Sequence, residues 1–282
     1  MSEMYNVSFP GLGIYDLQIN PVAFTIGDFT VRWYGVIIAA GLVLAVIYAM
    51  TVSKKRFGVD PDKLLNCIIV GMITAIIGAR AYYVAFQWDE YSGDIGKILS
   101  INEGGLAIYG GLIGALIGGL IVAKVSKMNI PALLDVAVLG FLIGQGIGRW
   151  GNFMNQEAFG TPTDLPWGMV SENTGGVAVH PCFLYESLWC LLGFVLLHFY
   201  SKYRRKYDGQ IFFMYLVWYG AERMIVEGLR TDSLMTPIFN LRVSQLLSAV
   251  IMIVGLVVLI INFVRKKDTI EVPIIKNERK RA

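Results

Sequence analysis

The sequence predicts an all-α integral membrane protein with seven transmembrane helices. The chain has 282 residues, of which 55% are hydrophobic and only 16% are charged, and its mean hydropathy is +0.58. This composition is too apolar for an ordinary soluble domain of the same length. The apolar runs have the length that an α-helix needs to cross a bilayer, whereas the short alternating segments of an outer-membrane barrel are absent from the sequence.

Seven apolar runs follow a mildly polar segment of 30 residues that contains no lysine or arginine. Because a cleaved signal peptide begins with basic residues, this segment does not predict one. The predicted spans cover approximately residues 32–52, 64–86, 106–125, 131–149, 183–200, 211–228 and 243–264. The sequence shows no interdomain linker, so residues 1–282 are predicted to form a single polytopic membrane domain.

Basic residues predict the orientation of these spans, because short loops rich in lysine and arginine remain in the cytoplasm. Most of the 24 basic residues follow spans one, three, five and seven, while the opposite loops hold Lys97, Arg230 and Arg242. The N-terminus and the loop 150–182 are therefore expected outside the cell. The C-terminus, with its basic tail 265–282, is expected inside.

Unusual polar residues within the spans are expected at one depth in the membrane. In the predicted topology the outer third of the bilayer contains Tyr34, Arg80, Tyr109, Arg149, Glu186 and Arg223. Residues that served helix packing alone would be scattered in depth, so the common level favours one site near the external face. Asp135 and His198 lie near inner ends and are interpreted as solvated interfacial residues.

The stretch 148–160 contains the most concentrated polar chemistry of the chain. It reads GRWGNFMNQEAFG, follows the fourth apolar run directly, and contributes Arg149, Asn152, Asn155, Gln156 and Glu157. An arginine costs on the order of 2.5 to 3.5 kcal/mol at the centre of a membrane helix and less near the interface, so it needs a partner or a function. We interpret this stretch as the candidate active site.

The sixth span adds a polar stripe on one helical face. Tyr219, Arg223, Glu227 and Arg230 are spaced by four, four and three residues. An arginine and a glutamate four residues apart offset part of the cost of burying either charge. An ion pair that only holds the helices together is the structural alternative. The functional interpretation is favoured because Arg149 is expected at the same depth.

The sequence predicts neither a cofactor nor a metal site. The three cysteines are scattered at positions 67, 182 and 190, and the chain has only two histidines, His180 and His198. This pattern indicates neither a disulfide framework nor a cluster of metal ligands. The basic tail is typical of contact with anionic lipid and not of nucleic-acid binding.

The stretch 148–160 resembles the signature of the prolipoprotein diacylglyceryl transferases, a family of bacterial membrane enzymes. The resemblance covers nearly the whole chain, through RWYG at 32–35, GAR at 78–80, GGLAIYGGLIG at 104–114, HPCFLYE at 180–186 and YGAERMIVEGLR at 219–230. It implies seven helices with the N-terminus outside, in the bacterial cytoplasmic membrane. The matching functional positions are Tyr34, Arg149, Asn152, Glu157, Gly160, Glu186, Arg223 and Glu227.

The resemblance also implies a reaction and its partners. The family transfers the diacylglyceryl group of phosphatidylglycerol to the lipobox cysteine of a prolipoprotein signal peptide, which forms a thioether and releases glycerol phosphate. Such a transfer needs no acyl-enzyme nucleophile, but it needs cationic donors for a phosphate whose charge grows as the bond breaks. Arg149 and Arg223 are expected to bind this phosphate, and Asn152 the head group. Three glutamates are expected to hold the arginines or the loop, namely Glu157, Glu186 and Glu227.

The proton acceptor of this reaction stays open at the level of sequence. Many family members carry a histidine where this chain has Tyr109, and an unperturbed tyrosine, with a pKa of about 10, is a poor base at neutral pH. His180 belongs to another matching motif and is expected on the same side of the membrane. Tyr109 is retained with Arg149, Arg223 and Glu157 as a catalytic candidate.

A membrane transporter for an anionic substrate is the alternative function, because it would also bury arginines. Transporters typically show internal repeats and a binding site at the midplane of the bilayer between broken helices. This sequence shows no repeat, and its polar level is displaced towards the outer face. The transferase is therefore the favoured hypothesis.

Overall fold

The computed structural model describes residues 4–27, 29–100, 104–231, 235–236, 241–265 and 270. Within these ranges most residues are helical, and six helices are long and apolar enough to cross a membrane. The prediction of a mostly helical membrane protein is thereby confirmed. The predicted basic tail lies outside the described residues, apart from Arg265 and Ile270.

Within the described residues, four short strands precede the long helices. They are β1 (Tyr5–Phe9), β2 (Ile14–Ile19), β3 (Val22–Ile26) and β4 (Phe29–Arg32). The helices are α1 (Trp33–Val52), α2 (Pro61–Phe86), α3 (Trp88–Tyr91), α4 (Ile95–Leu99), α5 (Ile108–Val125), α6 (Ile130–Asn155), α7 (Cys182–Tyr203), α8 (Gln210–Leu229) and α9 (Val243–Val264). The chain divides into two compact units, residues 1–49 with 134–282 and residues 50–133.

The strands are a departure from the all-α prediction. They form two antiparallel hairpins, β1 with β2 and β3 with β4. Each strand has only four to six residues, and the burial pattern of β2 is exposed at five of its six positions. In β1, however, the apolar residues Tyr5, Val7 and Phe9 alternate with the polar residues Asn6 and Ser8, which is the pattern of a half-buried strand that the sequence prediction did not use.

The first hairpin covers the loop that follows α6. Ser8 and Val170 exchange two backbone hydrogen bonds of 2.9 and 2.8 Å. Beneath this contact lies a small apolar core of Val7, Ile19, Phe153, Met169, Val179 and Phe183, each at most 9% exposed. The end of α6, the loop after it and the start of α7 are therefore packed together around side chains that exclude water.

Side-chain hydrogen bonds fix α7 against both α6 and α8. The Ser187 hydroxyl accepts a hydrogen bond of 3.1 Å from the indole of Trp150 and donates one of 2.7 Å to the carbonyl of Gly146. Trp189 and Trp218 stack with their centroids 4.5 Å apart, and each indole donates a 3.1 Å hydrogen bond to the backbone carbonyl of the other. These contacts set the relative height of the three helices.

Asp135, at the other end of α6, is not the solvated residue that its position in the sequence suggested. It is 0% exposed and forms an ion pair of 2.9 Å with Arg205. Its carboxylate also accepts hydrogen bonds of 2.9 and 2.8 Å from the backbone amides of Gly209 and Phe212, at the start of α8. Asp135 thus supplies acceptors for amides that an α-helix leaves unpaired in its first turn.

Candidate active site

The end of α6 places Glu157 directly beside Asn152. Gln156 has a left-handed conformation with φ of 50°, and its amide donates to the carbonyl of Phe153 while the amide of Glu157 donates to the carbonyl of Asn152. These two hydrogen bonds form a Schellman motif, which normally carries glycine at the left-handed position. A non-glycine residue in this conformation is uncommon, as is φ of 58° at Ala158, and such backbone strain tends to occur at functional sites.

Asn152 is held from both sides by polar side chains. Its amide nitrogen donates a 2.9 Å hydrogen bond to Glu157 Oε1. The oxygen of its side-chain amide, Oδ1, lies 3.5 Å from Nη1 of Arg149, one helical turn earlier. Because the amide group donates to an acid and accepts from a guanidinium, its orientation is determined, and Asn152 links Glu157 to Arg149.

Glu186 joins the arginines of α6 and α8. Its Oε2 lies 3.0 Å from Nε of Arg149, and its Oε1 accepts a 2.7 Å hydrogen bond from Nη1 of Arg223. Nη2 of Arg223 forms an ion pair with Glu227, four residues later on the same helix. The structure therefore brings together Arg149, Asn152, Glu157, Glu186, Arg223 and Glu227 in one continuous chain of polar contacts.

The two arginines are more accessible than the acids that hold them. The side chains of Glu186 and Glu227 are 1% and 2% exposed, whereas those of Arg149 and Arg223 are 25% and 14% exposed. Buried acids that are each paired with arginine avoid the large penalty of an isolated charge. A guanidinium has five N–H donors, so an arginine held through one or two of them still has donors to offer a ligand.

Tyr34 lies beside this cluster, at the start of α1. Its ring covers Gly151, where an added Cβ would come within 2.9 Å of the ring. Any larger residue between Trp150 and Asn152 would displace Tyr34. Tyr34 as a whole is 38% exposed.

Gly160 has a backbone role that the sequence did not reveal. It forms an isolated β-bridge with Arg230, and its amide donates a 2.9 Å hydrogen bond to the carbonyl of His180. An added Cβ would lie 2.7 Å from the Cβ of His180 and 2.9 Å from the sulfur of Cys182. The position is too close to its neighbours for a side chain, so glycine allows the loop after α6 to run against the start of α7.

Tyr109 and Arg80 belong to the second unit. Tyr109 lies in the first turn of α5 and is 43% exposed. Arg80 is only 8% exposed and donates to the backbone carbonyls of Lys97, Ile98, Gly104 and Gly105 over distances of 2.7 to 3.0 Å. Its guanidinium binds α4 and the two glycines that precede α5, which explains a buried membrane arginine without a ligand.

Two cavities adjoin the cluster within the first unit. One, of about 360 Å³, is lined by residues 156–159, Asn173 and Thr231, and thus includes Glu157. The other, of about 320 Å³, is lined in part by His180 and by Glu222, the residue before Arg223. Sequence reasoning did not select Glu222, although an additional acid within a membrane span is a recognised signal of function.

Comparison with known proteins identifies the family of the chain. Residues 21–261 match the family model described as prolipoprotein diacylglyceryl transferase. The phosphatidylglycerol–prolipoprotein diacylglyceryl transferase of Finegoldia magna is 46% identical over 239 residues, which cover 85% of this chain and 94% of that protein. The proteins of the same name from Clostridioides difficile and Lysinibacillus sphaericus are 41% identical over 239 and 266 residues, which cover 85% and 90% of this chain and 94% and 96% of those proteins. The chain therefore belongs to the prolipoprotein diacylglyceryl transferase family.

Proposed function

We propose that the chain transfers the diacylglyceryl group of phosphatidylglycerol to the lipobox cysteine of prolipoproteins, as the first step of lipoprotein maturation. The reaction forms a thioether and releases glycerol phosphate. Membership of the family supports this proposal. The structural observation that carries it is that Arg149 and Arg223, from two different helices, converge on the single carboxylate of Glu186.

The two arginines bind the phosphate of the lipid. When the cysteine sulfur attacks the glyceryl carbon, the bond from that carbon to the phosphate oxygen breaks and negative charge grows on the phosphate. Guanidinium groups match phosphate oxygens with paired N–H donors, and donors already in position stabilise the developing charge most effectively. Glu186 and Glu227 keep both guanidinium groups oriented before the lipid arrives.

The remaining candidates have supporting roles in this proposal. Asn152, oriented by Glu157, hydrogen-bonds the head group, and Glu157 keeps the loop in place. Tyr34 and Gly160 complete the phosphatidylglycerol site, Tyr34 through its partly exposed ring and Gly160 by the close backbone approach that it permits. Tyr109 is retained as a catalytic candidate on the family resemblance alone.

The proposed topology is one polytopic domain with seven spans, the N-terminus outside and the C-terminus inside the bacterial cytoplasmic membrane. Helix α8 corresponds to the sixth predicted span and brings the number of spans to seven, although it carries Glu222, Arg223 and Glu227 and is not among the six helices that are long and apolar enough by composition to cross a membrane. The pairing of Arg223 with Glu186 and Glu227 supports this assignment, because paired charges are tolerated inside a helical bundle. Both substrates, lipid and embedded signal peptide, would then reach the site sideways from the bilayer.

A reconstituted transfer assay tests the proposed function. Purified protein in detergent is mixed with phosphatidylglycerol labelled in its acyl chains and with a lipobox peptide. We expect label on the peptide and an equal amount of released glycerol phosphate. A peptide with serine in place of the lipobox cysteine is the matched control and should stay unlabelled. Uptake of an anionic solute into proteoliposomes, with no transfer of label, would favour the transporter instead.

A further inference from the structure

Glu222 is a buried acid to which the proposed mechanism assigns no role. It is 4% exposed, and its Oε1 has no hydrogen-bond partner among the described residues. A buried polar group without a hydrogen bond destabilises the fold, and acids within membrane helices usually mark functional sites. The carboxylate of Glu222 therefore calls for an explanation other than packing.

The cavity beside Glu222 is suited to a short and mostly apolar segment of peptide. Its volume is about 320 Å³, and most of its wall is apolar. Trp167 and Ile225, which line it, are 40% and 62% exposed, so the cavity reaches the surface of the first unit. It has room for a cysteine side chain and its small neighbours in an extended peptide, but not for a lipid with two acyl chains.

The other titratable groups lining this cavity are His180 and Tyr185, which form a hydrogen bond with each other. The Tyr185 hydroxyl accepts a 2.7 Å hydrogen bond from the indole of Trp167 and lies 3.2 Å from Nδ1 of His180. A hydroxyl donates one hydrogen bond and accepts two, so Tyr185 either donates to Nδ1 or accepts from it, according to the tautomer of His180. Nδ1 of His180 is thus already paired with Tyr185, whereas Oε1 of Glu222 has no hydrogen-bond partner among the described residues, which favours Glu222 as the acceptor.

Glu222 belongs to the electrostatic environment of the phosphate-binding arginines. It interacts electrostatically with Glu186 of α7 and with Arg149 of α6. It also interacts with Arg223 of α8 and with Arg230, which follows that helix. Cys190 of α7 and the hydroxyl groups of Tyr215 and Tyr219 also lie within its electrostatic range. A thiol in the cavity would therefore have a proton acceptor and the arginine pair close to it at the same time.

We propose that Glu222 accepts the proton of the attacking cysteine, an inference that rests on the proposed function. The S–H bond breaks and its proton moves to the carboxylate, while the electron pair of sulfur forms the bond to the glyceryl carbon. The bond from that carbon to the phosphate oxygen breaks, and its electron pair leaves with the oxygen. Glu222 then passes the proton to the released glycerol phosphate, which restores the carboxylate and balances the reaction.

The substitution Glu222→Gln tests this role, because it keeps the shape of the side chain and removes its basicity. Near pH 7 we expect kcat for transfer to a lipobox peptide to fall about 100-fold, as is typical when a general base is lost. Above about pH 8.5 the cysteine ionises without assistance, so the deficit should shrink as the pH rises. A purely structural role would give the same deficit at every pH and would overturn the proposal.

Three further variants sharpen the experiment. Glu90→Gln makes the same substitution at an exposed acid of α3 and should keep the wild-type pH profile. Glu222→Asp retains a carboxylate, so it should fold and transfer with a lowered kcat even if the glutamine variant does not fold. His180→Asn should show no recovery at high pH. If His180→Asn shows that recovery while Glu222→Gln does not, the base is His180 and the proposal is wrong.

The same assay separates this inference from the proposed function. Wild-type protein that transfers no label overturns the proposed function. Active wild-type protein with an unaffected Glu222→Gln variant leaves the proposed function intact and overturns only the role of Glu222.

Discussion

The three arginines that the sequence placed at one depth serve different purposes in the two units of this protein. In the second unit, Arg80 is 8% exposed and its guanidinium donates to four backbone carbonyls. In the first unit, the side chains of Arg149 and Arg223 are 25% and 14% exposed and are held by carboxylates. All three arginines were expected at one depth in the membrane, yet only two of them lie in a polar cluster with accessible donors.

The difference lies in the partner groups. Backbone carbonyls are neutral groups whose positions are set by the fold. Because four of them accept hydrogen bonds from the Arg80 guanidinium, its donors are already used within the structure. A carboxylate on a side chain orients an arginine through part of its donor set, and the remaining donors can bind an anion. Depth and residue type therefore nominate a membrane arginine as functional, but its partners and its exposure together decide the matter, since Arg205 also pairs with a carboxylate but is only 4% exposed.

The largest effect is expected from the arginines of the first unit. Arg149→Ala and Arg223→Ala should each lower the rate of diacylglyceryl transfer at least about 100-fold, because each removes a donor to the developing charge on the phosphate. Arg149→Lys and Arg223→Lys, which keep the charge but not the fork of donors, should also be strongly impaired. Label transfer is measured on protein that elutes as a single species in detergent. Near-normal turnover in any of these variants would remove that arginine from the site.

An intermediate effect, on stability and not on chemistry, is expected from Arg80→Met. This substitution removes four charge-assisted hydrogen bonds and leaves their carbonyls unsatisfied, so the free energy of unfolding should fall by about 3 kcal/mol or more. Thermal unfolding in detergent measures the loss. The fraction that remains folded should transfer label at close to the wild-type rate. A variant of normal stability with lost turnover would contradict the contrast between Arg80 and the other two arginines.

The smallest effect is expected at an exposed contact of the first hairpin. The backbone amide of Asn6 donates to both carboxylate oxygens of Glu172 at 3.0 and 2.9 Å. The amide of Glu172 itself and that of Asn6 hold the pKa of this carboxyl below its ordinary value. The contact therefore stabilises the hairpin above the ordinary pKa of glutamate and is lost as the pH falls below about 4, through the lowered value.

Hydrogen exchange of the β1 amides measures this contact. Glu172→Gln should speed exchange slightly at neutral pH, and acid should have less additional effect on the variant than on the wild type. Transfer activity should be unchanged, since the contact lies apart from the arginine cluster. A large loss of activity would show that the hairpin affects the site.

Much of the helical framework and of the candidate site could be predicted from the sequence. Length and hydropathy are properties of a continuous run of residues, so helices such as α1 and α9 are recognisable without any tertiary information. Arg149, Glu186 and Arg223 were selected as site candidates because charged residues are rare in apolar runs. The basic loops predict the orientation of each span, and the position of a residue within its span then gives its depth. The two hairpins were missed because their strands have only four to six residues, so that even the alternation of apolar and polar residues in β1 is brief beside the long apolar runs.

The sequence predicts how deep a residue lies in the membrane, but not the direction in which its side chain points from the helix. This explains the remaining differences between the prediction and the structure. The sequence by itself determined a mostly helical membrane protein with arginine and glutamate residues at a common depth. Every span must match the thickness of the bilayer, and a charged side chain within the bilayer is unfavourable, so both features can be read from the sequence. Only the tertiary structure decided that Arg149 and Arg223 both contact Glu186 and that Arg80 donates to backbone carbonyls of the second unit. It also decided that Glu222 lines a cavity. Those outcomes depend on how the helices rotate and pack against each other, which hydropathy along a single chain does not encode.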